Sequence, residues 1–148
     1  MGKYKMIQIT NKDIGAQTVG AFLPLGLITR KIDCGNSCGN AFSLTASGAD
    51  TVVVNEPGYY RVTYTATLLA AAATALTVTL LVNGTESMSA TVLPSAAGAV
   101  PVTVDFFVRV FPNCGSVSTN IPAYLQIQLS STAITGGNSN LIIERLAV

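Results

Sequence analysis

The chain has 148 residues, 49% of them hydrophobic and only 10% charged, with a net charge of +1 and no histidine. That length suits one domain with its own core and is short for two. Scattered, balanced charge excludes a basic nucleic-acid face, which needs clustered lysine and arginine, and the missing histidine removes Ser-His-Asp and Cys-His catalysis together with His-ligated metal sites.

Ordinary soluble domains carry roughly 25% charged residues, so the deficit calls for a cause. Membrane insertion does not supply it. The longest apolar run, residues 68–82, is broken by Thr74, Thr77 and Thr79 and falls short of the ~20 apolar residues a spanning helix needs. Coverage by other subunits is the better cause, because obligate interfaces resemble a core cut in half. What charge there is gathers early: Lys3, Lys5, Lys12, Asp13, Arg30, Lys31 and Asp33 all lie in the first 33 residues. The opening MGKYKMIQIT has no apolar stretch of signal-peptide length.

In chain order, residues 4–10 predict a short strand, with Tyr4, Met6, Ile7 and Ile9 around Lys5 and Gln8. Residues 19–23, stopped by Pro24, and residues 27–32, after Gly26, are further strand-like pieces. Cys34 and Cys38 then sit in polar, Gly-rich surroundings, as does Cys114 later. These three thiols are either free in loops or include one disulfide, Cys34 to Cys38 or either to Cys114, and the odd count leaves one thiol over. A zinc site would want about four Cys or His ligands, so no metal or cofactor is expected. Short strands are predicted at 42–45 and 51–54, the second ending at the turn Asn55-Glu56-Pro57-Gly58.

Residues 59–69 are the clearest strand. Tyr60, Val62, Tyr64, Ala66 and Leu68 form one face, and Tyr59, Arg61, Thr63, Thr65 and Thr67 the other. The alanines at 70–73 are too few to sustain a helix and read as a small-residue turn or a closely packed strand. Residues 75–82 and 85–93 flank Asn83-Gly84, the pair best suited to a type I′ hairpin. Asn83-Gly84-Thr85 also fits a glycosylation sequon, but the hairpin is the preferred reading. After a loop at 94–98 a strand is predicted over 102–111, with Phe107 on the face that carries Asp105 and Arg109. Asp105 and Arg109, four apart on that face, are a candidate subunit-interface ion pair or, in the more ordinary reading, a solvated stripe on the sheet. Residues 112–122 are a polar loop, 123–130 a strand that includes Tyr124, 136–140 a turn, and 141–146 a closing strand that includes Ile143. Eight to ten short strands separated by turns, without crossover helices, predict an all-β antiparallel sandwich or barrel.

No catalytic constellation accompanies them. The carboxylates are spread singly, whereas a glycosidase needs two that face each other, and the glycines lack a phosphate-cradling pattern. The chain reads as non-enzymatic.

The block Glu56-Pro57-Gly58-Tyr59-Tyr60-Arg61-Val62-Thr63-Tyr64, the hairpin Leu81-Val82-Asn83-Gly84 and the ending Asn140-Leu141-Ile142-Ile143-Glu144-Arg145-Leu146-Ala147 resemble, in order and spacing, the tumour necrosis factor/complement globular-head jelly rolls. They are similar also to the C-terminal domains of spore-surface collagen-like glycoproteins. The resemblance spans roughly residues 40–148. It implies a ten-stranded jelly roll and a homotrimer with the last strands near the threefold axis. It carries over no catalytic residue.

A stalkless domain with a short charged segment before it resembles phage head decoration or head-fibre proteins, particularly of phages that infect Firmicutes. The expectation is therefore a virion structural protein on the capsid surface. Residues 1–33 would form an attachment arm, folded into the same unit or extended, and residues 34–148 the jelly roll. Tyr4, Met6, Ile7 and Ile9 are the candidates to contact the major capsid protein. Tyr64, Phe107, Tyr124 and Ile143 are the candidates for the trimer interior or core. The alternative is a receptor- or carbohydrate-binding tip that takes a host surface glycan. No nucleic-acid or membrane partner is expected.

Overall fold

The computed structural model describes residues 4–32, 41–45, 49–110 and 122–147. Ten strands run in chain order: β1 (Lys5–Asn11), β2 (Leu27–Ile32), β3 (Phe42–Leu44), β4 (Val52–Val54), β5 (Gly58–Ala70), β6 (Leu76–Val82), β7 (Thr85–Val92), β8 (Gly98–Val110), β9 (Ala123–Leu129) and β10 (Ile134–Ala147). They form two five-stranded antiparallel sheets. Sheet A has the order β2-β1-β10-β5-β8, and sheet B the order β3-β4-β9-β6-β7. This is a jelly-roll sandwich.

Period-two patterning places the core between the sheets. Along β5 buried and outward residues alternate for thirteen positions, and Tyr60, Val62, Tyr64 and Leu68 have no exposed surface. From sheet B come Val52, Val54, Leu76, Val78, Leu125, Ile127 and Leu129. The rings of Phe42 and Tyr60 meet edge to face at 5.8 Å, and the Tyr60 hydroxyl donates to the Glu56 carbonyl at 2.8 Å. A buried tyrosine needs such an outlet for its polar end.

The Asn83-Gly84 turn joins β6 to β7 as the dipeptide predicts, with φ of 51° and 79°, the two positive values a type I′ turn requires. Ala71–Thr74 form a bend after β5, one of the two outcomes allowed to the alanine run.

Three predicted features differ. Residues 19–23 form no named strand. Phe22 bridges Gln128, and Leu23 N–H donates to the Ile127 carbonyl at 2.8 Å, so this piece pairs with the end of β9 beyond the reach of the three-residue β4. Residues 136–140 are not a turn but part of β10, paired with Thr65 to Leu69 of β5 across a register shift. Gly137 belongs there because a Cβ at that position would stand 2.5 Å from the Thr67 carbonyl oxygen, at a φ of +154°. Finally, β8 begins at Gly98, before Pro101. It is the last strand of sheet A, and an edge tolerates the missing N–H of proline.

Residues 5–32, most of the segment expected to be an arm, supply β1 and β2 of sheet A. β1 lies between β2 and β10, so it belongs to the sandwich itself.

Candidate assembly surface

Of the expected capsid contacts, Ile7 and Ile9 are fully buried. Ile7 pairs with Ile143 across the β1–β10 ladder. Both are core residues, and the expectation that they face a capsid is corrected. The reason is the pleat. Lys5, Ile7 and Ile9 share the inward face, which leaves Met6, Gln8 and Thr10 outward. Tyr4, just before the strand, is 51% exposed.

Tyr64 and Ile143 are likewise buried in the core, whereas Phe107 is 62% exposed on the outward face of sheet A. Tyr124 is exposed on the opposite side of the molecule, on the outward face of sheet B. No single surface therefore holds these four. Cys34, Cys38 and Cys114 lie outside the described residues.

The outward face of sheet A has two zones. At one end, cross-strand neighbours of β5 and β8 bring Tyr59 beside Arg109, Arg61 beside Phe107 and Thr63 beside Asp105. The Arg109 guanidinium lies 5.5 Å from the Tyr59 ring centroid, within cation–π range. Arg61 grips Asp105 with both arms of its fork, Nε to Oδ1 at 3.1 Å and a terminal nitrogen to Oδ2 at 2.8 Å, and Thr63 adds a hydroxyl at 3.2 Å. The Arg61 hydrogen bonds are the main cause that holds the Asp105 carboxyl below its ordinary range. Glu144 of β10 stands opposite Arg61 and accepts the Tyr4 hydroxyl at 3.1 Å.

Within the chain Asp105 and Arg109 take other partners than each other. Residues four apart on a strand are roughly 13 Å apart, whereas cross-strand neighbours are about 5 Å apart, so Asp105 pairs with Arg61 and Arg109 stacks on Tyr59.

The second zone is a shallow trough of about 450 Å³, uncharged apart from Lys12 at its rim and lined by Thr10, Thr65, Thr67, Thr103, Asn138 and Asn140. Its floor is low because β5 and β8 contribute threonines there and β10 contributes asparagines.

Beneath the aromatic end, Lys5, Glu56 and Arg145 form an ion triad. Lys5 contacts Glu56, and Arg145 lies 3.4 Å from the same carboxylate while donating to the Pro57 carbonyl at 2.7 Å. Lys5 is 4% exposed, so the triad ties the start of β1, the turn before β5 and the end of β10 together. Sequence reasoning missed it, and missed Arg61 as the partner of Asp105. The only available signal was a lysine at an inward position of an alternating strand. Among the described residues no three metal-ligating side chains come together, and no helix is long and apolar enough to cross a membrane.

No family model matches the chain, and no curated protein does. Solved structures do. The Eiger TNF of S. frugiperda superposes with a TM-score of 0.68 at 9% identity, covering 97% of this chain and 92% of its own. The globular domain of zebrafish complement 1qA gives 0.65 at 8% identity, with 95% and 96% covered. PRD1 vertex protein P5 gives 0.60 at 13% identity, with 99% of both chains covered. At such identities the likeness speaks to the fold alone, and that fold is the jelly roll shared by TNF-like proteins and complement 1q globular heads.

Proposed function

We propose that the chain is a virion structural protein, a capsid decoration protein that forms a homotrimer through the outward face of sheet A and attaches to the major capsid protein. The observation that carries the reading is the aromatic end of that face. Phe107 at 62% exposure and Tyr59 at 44% stand among Arg61 and Arg109, the mixture of aromatic and arginine side chains enriched where interfaces concentrate their energy. The likeness of the whole chain to a vertex protein supports the virion as the setting. Tyr4 and Met6, on the outward side of β1, remain candidate contacts. The mechanism is cementing. A protein that binds only the assembled shell stabilises it by mass action, without chemistry.

Native mass spectrometry tests the trimer. Three chains per particle are expected, and Phe107→Lys, which sets a second cation beside Arg61, is expected to yield monomers. Thr91→Lys, on an exposed position of sheet B, leaves the trimer intact. A wild-type monomer at micromolar concentration overturns the reading. Many copies over the head of purified virions are expected, and a few copies at a tail tip would refute cementing.

A second reading, a receptor- or carbohydrate-binding tip, draws on the outward face of sheet B. There Tyr124, 44% exposed, stands in a field of Gln126, Gln128 and threonine hydroxyls. It predicts a sugar-dependent rise in Tm that Tyr124→Ala abolishes.

A further inference from the structure

β2 is where sheet A ends. Among the described residues it pairs with β1 alone. All six of its residues are exposed, with Leu27 at 76%, Ile28 at 42% and Ile32 at 40%. An open edge offers a row of backbone N–H and C=O groups to any extended chain, and natural edges are blunted by proline, brevity, bulges or charge. β2 contains no proline and is as long as a typical strand. Its register with β1 shifts between Gln8 and Ile9, which twists the edge without closing it. Arg30 and Lys31 are its charges, with no acidic residue in the strand. They pair with outward Gln8 and inward Ile7 respectively, so one cation stands on each face. If they served only to repel strands, the three exposed apolar residues beside them would be an uncompensated liability. At the start of the strand an apolar hollow of about 440 Å³ opens beside Leu27 and Thr29, with Lys12 and Asp13 at its rim.

We propose that β2 accepts an extended acidic–apolar segment of the shell protein as a sixth strand of sheet A. The inference rests on the attachment reading above and names the contact that performs it. Backbone hydrogen bonds give such an added strand its affinity, and alternate side chains give it specificity. Here Leu27, Ile28 and Ile32 would take apolar residues while Arg30 and Lys31 take carboxylates. A second copy of this chain fits less well. Antiparallel self-pairing centred between Thr29 and Arg30 sets Leu27 opposite Ile32, but it brings Arg30 and Lys31 of both copies to one seam with no acidic residue in either strand, and like charges so close repel.

The test uses two labelled eight-residue peptides with the same alternating valines and isoleucines, one with glutamates between them and the other with lysines. The glutamate peptide is expected to bind the full chain at least tenfold more tightly by fluorescence anisotropy. Hydrogen exchange is expected to slow at residues 27–32 and not along β8, the other edge of sheet A. Arg30→Glu/Lys31→Glu, at two exposed positions, should reverse the preference without changing the melting temperature or the oligomeric state. Equal binding of both peptides, no binding, protection along β8, or a self-association that the double variant abolishes would each overturn the proposal. A separate arm tests the reading beneath it. If the double variant still decorates shells as the wild type does, attachment stands and β2 is not its contact. If the glutamate peptide binds as expected but the chain is absent from virions, it is the attachment reading that fails.

Discussion

Tyr64 offers a quantitative test of the packing between the sheets. Its ring has no exposed surface. Its hydroxyl makes no hydrogen bond of good geometry, although Ser139 stands near enough to offset part of the rise in its pKa that burial causes. Burial pushes its pKa from near 10 up to about 12. The sign follows from linkage. Between those values the unfolded chain has lost the phenolic proton and the folded chain keeps it, so the folded state binds more protons and stability falls as pH rises. The contribution is fully present below pH 10 and gone above about pH 12. At about 1.4 kcal/mol per pH unit it amounts to about 3 kcal/mol. Tyr64→Phe removes the ionisable group while keeping the ring. Because the lost hydroxyl had no well-formed partner, the substitution should change stability at neutral pH by no more than about 1 kcal/mol. Urea unfolding of both proteins at fixed concentration, from about pH 8 to about pH 11.5, isolates the residue, since every other tyrosine and lysine is common to the pair. The wild type should lose stability more steeply above pH 10, and the variant should overtake it. Parallel loss in the two proteins would refute the assignment of a buried, poorly satisfied phenol.

Three further outcomes follow from single contacts. Gly137→Ala forces a Cβ to 2.5 Å from the Thr67 carbonyl at a φ of +154°, and should destabilise by at least about 1–3 kcal/mol in urea unfolding. Asn83 holds the start of β9 with two bonds, its side-chain oxygen accepting the Tyr124 N–H at 2.7 Å and its own N–H donating to the Tyr124 carbonyl at 2.9 Å. Asn83→Ala loses the first bond and a residue suited to positive φ, and should cost about 1–2 kcal/mol, with faster hydrogen exchange at Tyr124. Arg61→Ala should move the NMR titration of Asp105 back up toward the ordinary carboxylate range. Because the pair is exposed, stability should barely change, and the little the pair adds should be present above the ordinary carboxylate pKa and lost as pH falls through the lowered one.

Much of the fold was legible because it rests on local signals. The thirteen-residue alternation of β5 and the Asn83-Gly84 hairpin are short-range chemistry, and they anchor the order of the strands on either side. Gly136 to Asn140 was not legible in the same way. Gly-Gly-Asn-Ser-Asn is ordinary turn composition, and only the ladder with β5, more than sixty residues away, draws it into a strand. Lys5 misleads for a related reason. A lysine before alternating isoleucines marks a surface segment unless a carboxylate meets it inside, and Glu56 lies fifty-one residues further on. The candidate surface suffered most, because side-chain partners across strands depend on register. Asp105 looks toward Arg109 in the sequence and toward Arg61 in the sheet.

The distribution of charge bears on which face turns toward a partner. The strands of sheet B contain one charged residue, Glu86, whereas those of sheet A carry Lys5, Arg30, Lys31, Arg61, Asp105, Arg109, Glu144 and Arg145. The low overall charge is therefore largely a property of sheet B, and an interface on sheet A does not by itself account for it. Sheet B manages without charge through hydroxyls. Thr77 meets Thr91 at 2.8 Å, and Thr79 meets both Ser89 and Ser130 at 2.9 Å, so its outward face is largely polar and internally bonded, its exposed apolar groups being Tyr124, the edge residue Met88 and Phe22, which bridges Gln128. Such a face has little to gain by burial. Sheet A exposes Tyr59, Leu69 and Phe107 across its face and Leu27, Ile28 and Ile32 along its edge, where desolvation has apolar area to remove and fixed charges nearby to select the partner. The two exposed apolar regions are also at opposite ends of the strand order, one on β5–β8 and the other on β2. In the proposed assembly one sheet serves two contacts at once, subunit to subunit at one end and subunit to shell at the other, and sheet B is left to solvent.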